Sequence, residues 1–223
     1  SGKSADKFAA AVLPEDYDSG KKYPLLIFLG GGSGGIGNGT GDALFFSERK
    51  NFISVNLPLF KKKLNNGPPP AIYINPNDFK HIAVQYSRIL KLLKKKIPNI
   101  ANTGHVIGGF SNGAHTIGAI VDDKTLSKQF SHYILAEGGA EANKIPKESK
   151  AIVLIGETSP YGAQGLRIDK KGKVKSYPAQ FADIAKKKNV TFVPMIDVGH
   201  DFPEKYKIEA RDWLKKHYPG INK

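Results

Sequence analysis

The sequence predicts an α/β protein built on a mostly parallel, doubly wound sheet with helices on both faces. Short apolar runs alternate along the chain with longer segments in which apolar residues recur every three or four positions. One run, residues 23–29, is almost continuously apolar, which is typical of a strand buried on both faces. Neither an internal repeat nor a linker interrupts the 223 residues, so we expect one domain over residues 1–223.

The strands and helices can be placed in order from these patterns. We expect strands at residues 8–13 (an edge strand), 23–29, 52–57, 105–109, 130–136, 151–155 and 190–196. We expect a first helix at residues 79–96 and a second from the end of strand 105–109 to about Val121. A third helix should end at Asn189. A closing amphipathic helix should contain Tyr206, Ala210, Trp213 and Leu214. The proline-rich residues 58–77 are irregular, and we expect them to form a loop over the active site.

The composition excludes several classes of protein. Cysteine is absent, which excludes disulfides, thiolate metal sites and a cysteine nucleophile. No apolar run approaches the about 18 residues that a membrane-spanning helix needs, so we expect no membrane span. The chain begins at Ser1 rather than methionine, which leaves room for a leader that has been removed.

The net charge of +14 comes from lysine clusters at residues 61–63, 94–96, 170–171, 186–188 and 215–216. One interpretation is a face that binds a polyanion such as nucleic acid. The other is a set of solvated lysines at helix C-termini, where cations complement the helix dipole. Three clusters fall at the ends of predicted helices and no RNA-binding aromatic motif accompanies them, so we do not expect a nucleic-acid partner.

The most informative motif is Gly-Phe-Ser-Asn-Gly at residues 109–113, between a short apolar strand and a helix of small residues. This is the G-x-S-x-G pattern of a nucleophile elbow in its expected strand–turn–helix context. A serine on such a turn needs neighbours without side chains, because the backbone doubles back on itself. The positive end of the following helix lies where an oxyanion would form. Ser111 is therefore the candidate nucleophile.

A glycine-rich loop, residues 30–39, follows the apolar strand at residues 23–29. It lacks the G-K-[ST] ending of a phosphate-binding P-loop, and it does not open onto a helix as a dinucleotide-binding G-x-G-x-x-G does. We therefore expect it to supply backbone N–H donors to an oxyanion.

His200 is the candidate general base. It follows the last predicted strand by a short loop, so it lies at the same carboxyl edge of the sheet as Ser111. His115, one helical turn after Ser111, is the local rival, but a helix residue four positions on is more often a packing residue.

Taken together, these pieces resemble the α/β-hydrolase superfamily over essentially the whole chain. Within it the chain is similar to the polyhydroxybutyrate-depolymerase/feruloyl-esterase-like group of small secreted serine esterases. The resemblance rests on Val-Leu-Pro-Glu-Asp-Tyr-Asp at residues 12–18, residues 22–29, the glycine loop, residues 109–113 and Gly-His-Asp-Phe at residues 199–202. In such enzymes a histidine usually stands where this chain has Gly30.

The resemblance implies a carboxylester hydrolase that uses neither a metal nor an organic cofactor. Ser111 would be the nucleophile, His200 the base, and the N–H groups of Asn112 and of Gly31 or Gly32 the oxyanion hole. The substrate would be a small-molecule or polysaccharide-linked ester, and the location extracytoplasmic. The resemblance gives no oligomeric state.

The triad acid is the open question at the level of sequence. These enzymes usually carry it in a G-x-x-D turn, which here begins at Gly156 and has Ser159 at the aspartate position. Glu137 could serve from the neighbouring strand, because the Ala-Glu-Gly-Gly turn aims it over the sheet edge, and Glu157 is the second alternative. The third alternative is that no acid is present. The protein would then be a non-catalytic or weakly active binding protein with this scaffold, or one that binds polyanions through its lysines.

Overall fold

The computed structural model describes residues 9–32, 40–60, 74, 76–171 and 173–219. Its strands are β1 (Ala10–Val12), β2 (Leu25–Leu29), β3 (Ile53–Asn56), β4 (His105–Phe110), β5 (Phe130–Ala136), β6 (Lys150–Gly156), β7 (Arg167–Ile168), β8 (Val174–Ser176) and β9 (Val190–Met195). Seven of them form one sheet in the order β1-β3-β2-β4-β5-β6-β9, and β7 pairs with β8 in a separate antiparallel ribbon. In the large sheet β1 is antiparallel to β3, and all other pairs are parallel.

The α-helices are α1 (Thr40–Ser47), α2 (Phe79–Lys96), α3 (Asn112–Asp122), α4 (Lys124–Ser127), α5 (Ala182–Ala185) and α6 (Glu204–His217). Short 3₁₀ turns occupy Pro76–Asp78, Ala140–Lys144, Gly162–Gln164 and Ala179–Phe181. None of the helices in the described ranges is long and apolar enough to cross a membrane.

The helices cover both faces of the sheet and bury a separate apolar core on each. Along β2, Leu25, Ile27 and Leu29 belong to the core under α2 and α3. The intervening Leu26 and Phe28 belong to the core under α1 and α6. Every residue of β2 is therefore buried, which is why its sequence is continuously apolar rather than alternating. The doubly wound α/β fold predicted from the sequence is confirmed.

The strand order determines where the loops that bear the site lie. β4, β5, β6 and β9 are consecutive and parallel, so their carboxyl ends lie side by side at one edge of the sheet. The turn after β4 carries Ser111, the turn after β5 carries Glu137, and the loop after β9 carries His200. This edge is where doubly wound sheets bind their ligands.

Two helical predictions differ from the structure. The segment expected to be a helix ending at Asn189 is only a 3₁₀ turn followed by one turn of α5, because the three lysines at 186–188 offer no apolar face to bury. The helix α1 was not anticipated, since its eight residues are too few to show a 3.6-residue period. Most of the predicted loop at 58–77 lies outside the described residues, so its role remains a prediction.

Candidate active site

Ser111 occupies a strained turn between β4 and α3. Its backbone has φ 53° and ψ −122°, and its N–H donates to the carbonyl of Ala136 at 2.9 Å. A Cβ added at Gly113 would lie 2.0 Å from the Leu29 carbonyl oxygen, and one at Gly109 would lie 2.5 Å from the Gly113 carbonyl carbon. Both glycines of the motif are thus required by close backbone contacts, and the strain holds the hydroxyl at the edge of the sheet.

A chain of hydrogen bonds joins a hydroxyl, an imidazole and a carboxylate. The Nε2 atom of His200 is 2.9 Å from the Oγ of Ser111, and its Nδ1 is 3.1 Å from the Oε2 of Glu137. A carboxylate beside Nδ1 holds the proton on that nitrogen, so Nε2 is left to accept the serine proton. The rings of Phe110 and Tyr161 lie 5.3 and 5.8 Å from the His200 ring and limit its rotation.

Glu137 is completely buried and has φ 52°, a left-handed conformation in the turn after β5. Its Oε1 accepts a hydrogen bond from the N–H of Gly156, and its own N–H donates to the carbonyl of Leu154 at 2.9 Å. Burial raises the pKa of this carboxyl above its ordinary value. Hydrogen bonds from Gly156, His200 and Ser159 offset part of this rise. The carboxylate is therefore desolvated but well supplied with donors.

Ser159, at the position where the resembling family has aspartate, contacts the same carboxylate. Its side chain is fully buried, and its hydroxyl lies close enough to Glu137 to lower the pKa of that carboxyl. The same Oγ accepts from the N–H groups of Tyr161 and Gly162 at 3.3 and 3.1 Å. The serine therefore supports a carboxylate that arrives from the neighbouring strand, a role that the sequence analysis did not anticipate.

Glu157, the second candidate acid, does not reach the imidazole. Its Oε2 accepts from the backbone N–H of Asp197 at 3.3 Å, and its own N–H donates to the carbonyl of Met195 at 2.9 Å. Those contacts fasten the end of β6 to the start of the loop that carries His200. The carboxylate beside His200 is that of Glu137 instead.

The candidate oxyanion residues lie together next to Ser111. A Cβ added at Gly31 would be 3.2 Å from the Ser111 Cβ, so this part of the glycine loop touches the serine. The side-chain amide of Asn112 donates to the Gly32 carbonyl at 2.9 Å and ties the loop to the start of α3. Asn112 is the first residue of α3, so its backbone N–H lies at the positive end of the helix dipole, next to Ser111. Residues 33–39 of the glycine loop lie outside the described residues.

These groups open onto a cleft of about 690 Å³. Apolar and polar groups both line it: Gly32, Ile74, Phe110, Ser111, Asn112, His115, Pro160, Tyr161 and His200. Ile74, one of the described residues of the predicted loop at 58–77, forms one wall. In the parts of the chain that the structure describes, no cluster of three or more histidine and acidic side chains could hold a metal ion.

His115, the rival base, does not contact Ser111 through its ring. Its Nδ1 lies 2.8 Å from the Oε2 of Glu141 and its Nε2 lies 2.8 Å from the hydroxyl of Tyr161. Sequence reasoning overlooked Tyr161 and Glu141 because neither belongs to a motif. The available signal was that Glu141 follows Glu137 by four residues in the same glycine-containing turn.

A second hollow, of about 780 Å³, lies at the opposite edge of the sheet around His132 and His217. There the Nδ1 of His132 is 2.9 Å from the hydroxyl of Ser131, but its Nε2 faces the carbonyl oxygen of His217 at 3.1 Å. A carbonyl cannot compensate an imidazolium as a carboxylate does. This edge therefore lacks the arrangement found around Ser111.

Comparison with solved structures places the chain among α/β-hydrolase folds. A carboxylesterase from Bacillus cereus is similar over 95% of both chains, with a TM-score of 0.62 and 16% identity. A cold-adapted esterase from an Arctic intertidal metagenomic library matches 94% of this chain and 88% of its own, with a TM-score of 0.60 and 12% identity. An α/β serine hydrolase homologue from Coxiella burnetii matches 96% of this chain and 97% of its own, with a TM-score of 0.53 and 14% identity.

No family model matches the sequence, and a search of curated proteins finds no relative. The resemblance to α/β-hydrolases seen in the sequence is confirmed at the level of fold. The chemistry must be argued from the site itself.

Proposed function

We propose that the protein is a serine carboxylester hydrolase that acts through an acyl-enzyme intermediate. The observation that carries this proposal is the chain Ser111–His200–Glu137, with hydrogen bonds of 2.9 and 3.1 Å, opening onto a cleft. A serine at a strained elbow, an imidazole whose tautomer is fixed, and a buried carboxylate are what nucleophilic acyl transfer requires.

In the first half of the reaction the Ser111 oxygen attacks the ester carbonyl carbon while its proton passes to Nε2 of His200. The resulting oxyanion accepts hydrogen bonds from the N–H groups of Asn112 and Gly31, where the loop touches the serine. The bond from carbon to the alcohol oxygen then breaks, and Nε2 returns its proton to the departing alcohol. The acyl group stays bonded to Ser111.

In the second half a water molecule takes the place of the alcohol. His200 accepts a proton from the water as it attacks the acyl carbon, and gives that proton back to the serine oxygen as the acid leaves. Glu137 keeps the Nδ1 proton in place and compensates the imidazolium charge in both halves. The sum is hydrolysis of an ester to an acid and an alcohol, without a metal or organic cofactor.

The cleft supports a small-molecule or polysaccharide-linked ester as substrate. Its volume of about 690 Å³ accommodates a small acyl chain or one ring, and Phe110, Pro160 and Ile74 provide apolar surface. The similar structures named above are themselves described as a carboxylesterase and an esterase. We therefore expect short acyl esters to be the first productive substrates.

The test combines turnover with covalent trapping. The purified protein should hydrolyse a chromogenic short-chain acyl ester, and a serine-directed fluorophosphonate should stop the reaction by modifying Ser111, as read by peptide mass spectrometry. Ser111→Ala should abolish both turnover and modification. Ser131→Ala is the matched control, because Ser131 also touches an imidazole, at the opposite edge of the sheet.

Two results would contradict the proposal. Hydrolysis by Ser111→Ala at the parent rate would place the nucleophile elsewhere. A parent protein that neither turns over any ester nor reacts with the fluorophosphonate would favour the alternative, a non-catalytic or weakly active binding protein with a hydrolase fold.

A further inference from the structure

A second hydroxyl–imidazole–carboxylate chain faces the same cleft. It runs from the Tyr161 hydroxyl to Nε2 of His115 and from Nδ1 of His115 to Oε2 of Glu141, with both distances 2.8 Å. We refer to these three residues as the tyrosine relay. It repeats the order of groups in Ser111–His200–Glu137, with a phenol in place of the serine hydroxyl.

The turn that follows β5 supplies the carboxylates of both hydrogen-bond chains. Glu137 and Glu141 are separated by Gly138, Gly139 and Ala140. A Cβ added at Gly138 would lie 3.0 Å from Nε2 of His115 and 2.8 Å from the Ser111 carbonyl oxygen, so this turn packs directly against both the relay and the elbow. The two chains are thus built on one rigid segment.

The hydrogen-bond directions in the relay follow from its chemistry. The His115 side chain is only 14% exposed. Its Nδ1 lies 2.8 Å from the Glu141 carboxylate and 3.5 Å from the Gly139 N, and the shorter contact with the charged acceptor holds the ring proton on Nδ1. In the neutral imidazole Nε2 then has no proton, so the Tyr161 hydroxyl donates to it. Because it donates its proton to Nε2, the phenol oxygen can act toward a group in the cleft only as an acceptor. It is an acceptor that polarisation along the chain strengthens.

The position of Tyr161 indicates which part of the substrate it meets. Its ring lies 5.8 Å from the ring of His200, and both line the cleft. In the proposed reaction His200 returns a proton to the departing alcohol, so groups beside its ring contact the alcohol portion of the ester. The other ring beside His200 is that of Phe110, at 5.3 Å, which can make no such hydrogen bond.

We propose that the tyrosine relay recognises a hydroxyl group on the alcohol portion of the substrate, close to the scissile bond. This inference rests on the proposed esterase function and goes beyond it by naming a substrate class, esters of diols and polyols. Tyr161 is the residue that contacts the substrate. His115 and Glu141 are positioning residues that keep the phenol oxygen in its accepting state.

The test uses two esters that differ by one group. In 2-hydroxyethyl butyrate a hydroxyl replaces the terminal methyl of propyl butyrate, and 2-methoxyethyl butyrate retains the oxygen but cannot donate. The parent should prefer the hydroxyethyl ester in kcat/KM over both others. Tyr161→Phe should lower the hydroxyethyl-to-propyl ratio about fivefold, the typical effect of losing one neutral hydrogen bond. Tyr177→Phe, at a tyrosine packed on Phe192 away from the cleft, is the matched control and should keep the parent ratio.

The relay also has a readout that needs no turnover. Nitrogen-15 NMR of His115 should show a protonated Nδ1 and an unprotonated Nε2, and Tyr161→Phe should shift the Nε2 resonance by removing its donor. Glu141→Gln removes the charge that fixes the tautomer, so it should lower the same ester ratio.

The outcomes separate this inference from the esterase proposal. A parent that hydrolyses all three esters with equal kcat/KM, or a Tyr161→Phe variant that keeps the parent ratio, overturns the relay's role while leaving the esterase intact. A protonated Nε2 in the NMR spectrum overturns it as well. A parent that hydrolyses none of the esters and resists the fluorophosphonate overturns the esterase proposal, and the substrate class with it.

Discussion

The carboxylate beside the imidazole is that of Glu137, after β5, while Ser159 stands at the position after β6 where the resembling family has its acid. In the resembling family the acid follows the strand that is β6 here, but this chain has a serine there. The carboxylate comes from the turn after β5, and the serine hydroxyl lowers its pKa. Each of the two positions makes its own prediction.

Glu137→Gln should lower kcat by about 10⁴-fold, as expected for loss of a triad carboxylate, because the imidazolium loses its compensating charge and the tautomer is no longer fixed. Glu157→Gln is the matched control and should retain most activity, since the Glu157 carboxylate accepts from the Asp197 N–H and the His200 ring is bonded by Glu137. Hydrolysis of a chromogenic ester measures both. The reverse pattern would assign the acid to Glu157.

The substitution Glu137→Gln should lower the free energy of unfolding only slightly. Burial raises the folded-state pKa of Glu137 above its unfolded value, so stability is lost as pH rises through the folded pKa and the buried charge forms. At pH 7 the neutral glutamine side chain avoids the cost of a buried charge. This gain offsets the hydrogen bonds that the substitution weakens. Urea unfolding of Glu137→Gln should therefore give a free energy within about 1 kcal/mol of the parent or above it. A large loss would mean that the carboxylate mainly holds the fold together.

Ser159 is expected to tune the pH dependence of the reaction. Its hydroxyl lowers the pKa of Glu137, so Ser159→Ala should raise that pKa and move the acid limb of kcat/KM to higher pH. Ser159→Asp should move the limb further, because two adjacent buried carboxylates cannot both ionise readily. Thr158→Ala, at the exposed neighbouring position, is the control. An unchanged acid limb in both Ser159 variants would remove the serine from this role.

At the scale of elements, the junction of β4 and α3 depends on atoms that cannot move apart. A Cβ at Gly113 would meet the carbonyl oxygens of Leu29 and Gly30 at 2.0 and 2.8 Å, so Gly113→Ala should lower the free energy of unfolding by about 3 kcal/mol or more. Gly41 lies exposed in α1, and no atom of the described residues lies within 4 Å of such a Cβ, so Gly41→Ala should raise stability by up to about 1 kcal/mol. Both changes are measured as shifts of the urea unfolding midpoint, which report stability when the m-value is unchanged. Equal effects would show that the contact at Gly113 relaxes freely.

The elements that the sequence predicted well are those whose burial leaves a regular pattern. β2 is continuously apolar because both of its faces are covered, and β5 ends in an apolar run at residues 133–136. The helix α2 has one clear apolar stripe, and its bounds at Phe79–Lys96 agree with the expected 79–96. α1 and α5 are too short to show a period, and their ends depend on tertiary contacts. The serine and histidine of the site come from motifs tied to strand ends. Sequence patterns are local, whereas three features of the site depend on how separate loops meet. These are the positions of Tyr161 and Glu141 and the proximity of Ser159 to Glu137.

At the scale of the whole molecule, none of the lysines that the structure describes lines the cleft. Residues 94–96 and 215–216 fall in the last turns of α2 and α6, where they complement the helix dipoles as the sequence suggested. Several lysines form ion pairs, including Lys207 with Asp42 and Lys215 with Glu48. Partly exposed pairs of this kind add little stability. We expect the positive charge to act mainly on solubility and on encounter with anions.

Two buried histidines link the stability of the whole fold to pH. The Nδ1 of His105 accepts the N–H of Leu25 at 3.1 Å, and its Nε2 has no hydrogen-bond partner among the described residues. Burial, with a smaller contribution from the charge of Lys94, lowers the pKa of His105 to about 3. Burial likewise lowers the pKa of His132 to about 4. Both imidazoles are neutral in the folded protein over a range where they are charged in the unfolded chain.

This difference predicts a loss of stability in mild acid. Between the unfolded value of about 6.5 and the folded values of about 3 and 4, the unfolded chain binds protons that the native state does not. The contribution is therefore fully present above pH 6.5 and falls as the pH drops, by on the order of a few kcal/mol for the pair by pH 4. The double variant His105→Asn/His132→Asn should flatten the unfolding free energy against pH between 6.5 and 4.5, measured with urea at each pH. His81→Asn, in the half-exposed part of α2, is the control and should keep the parent slope. A double variant with the parent slope would assign the acid sensitivity to other groups.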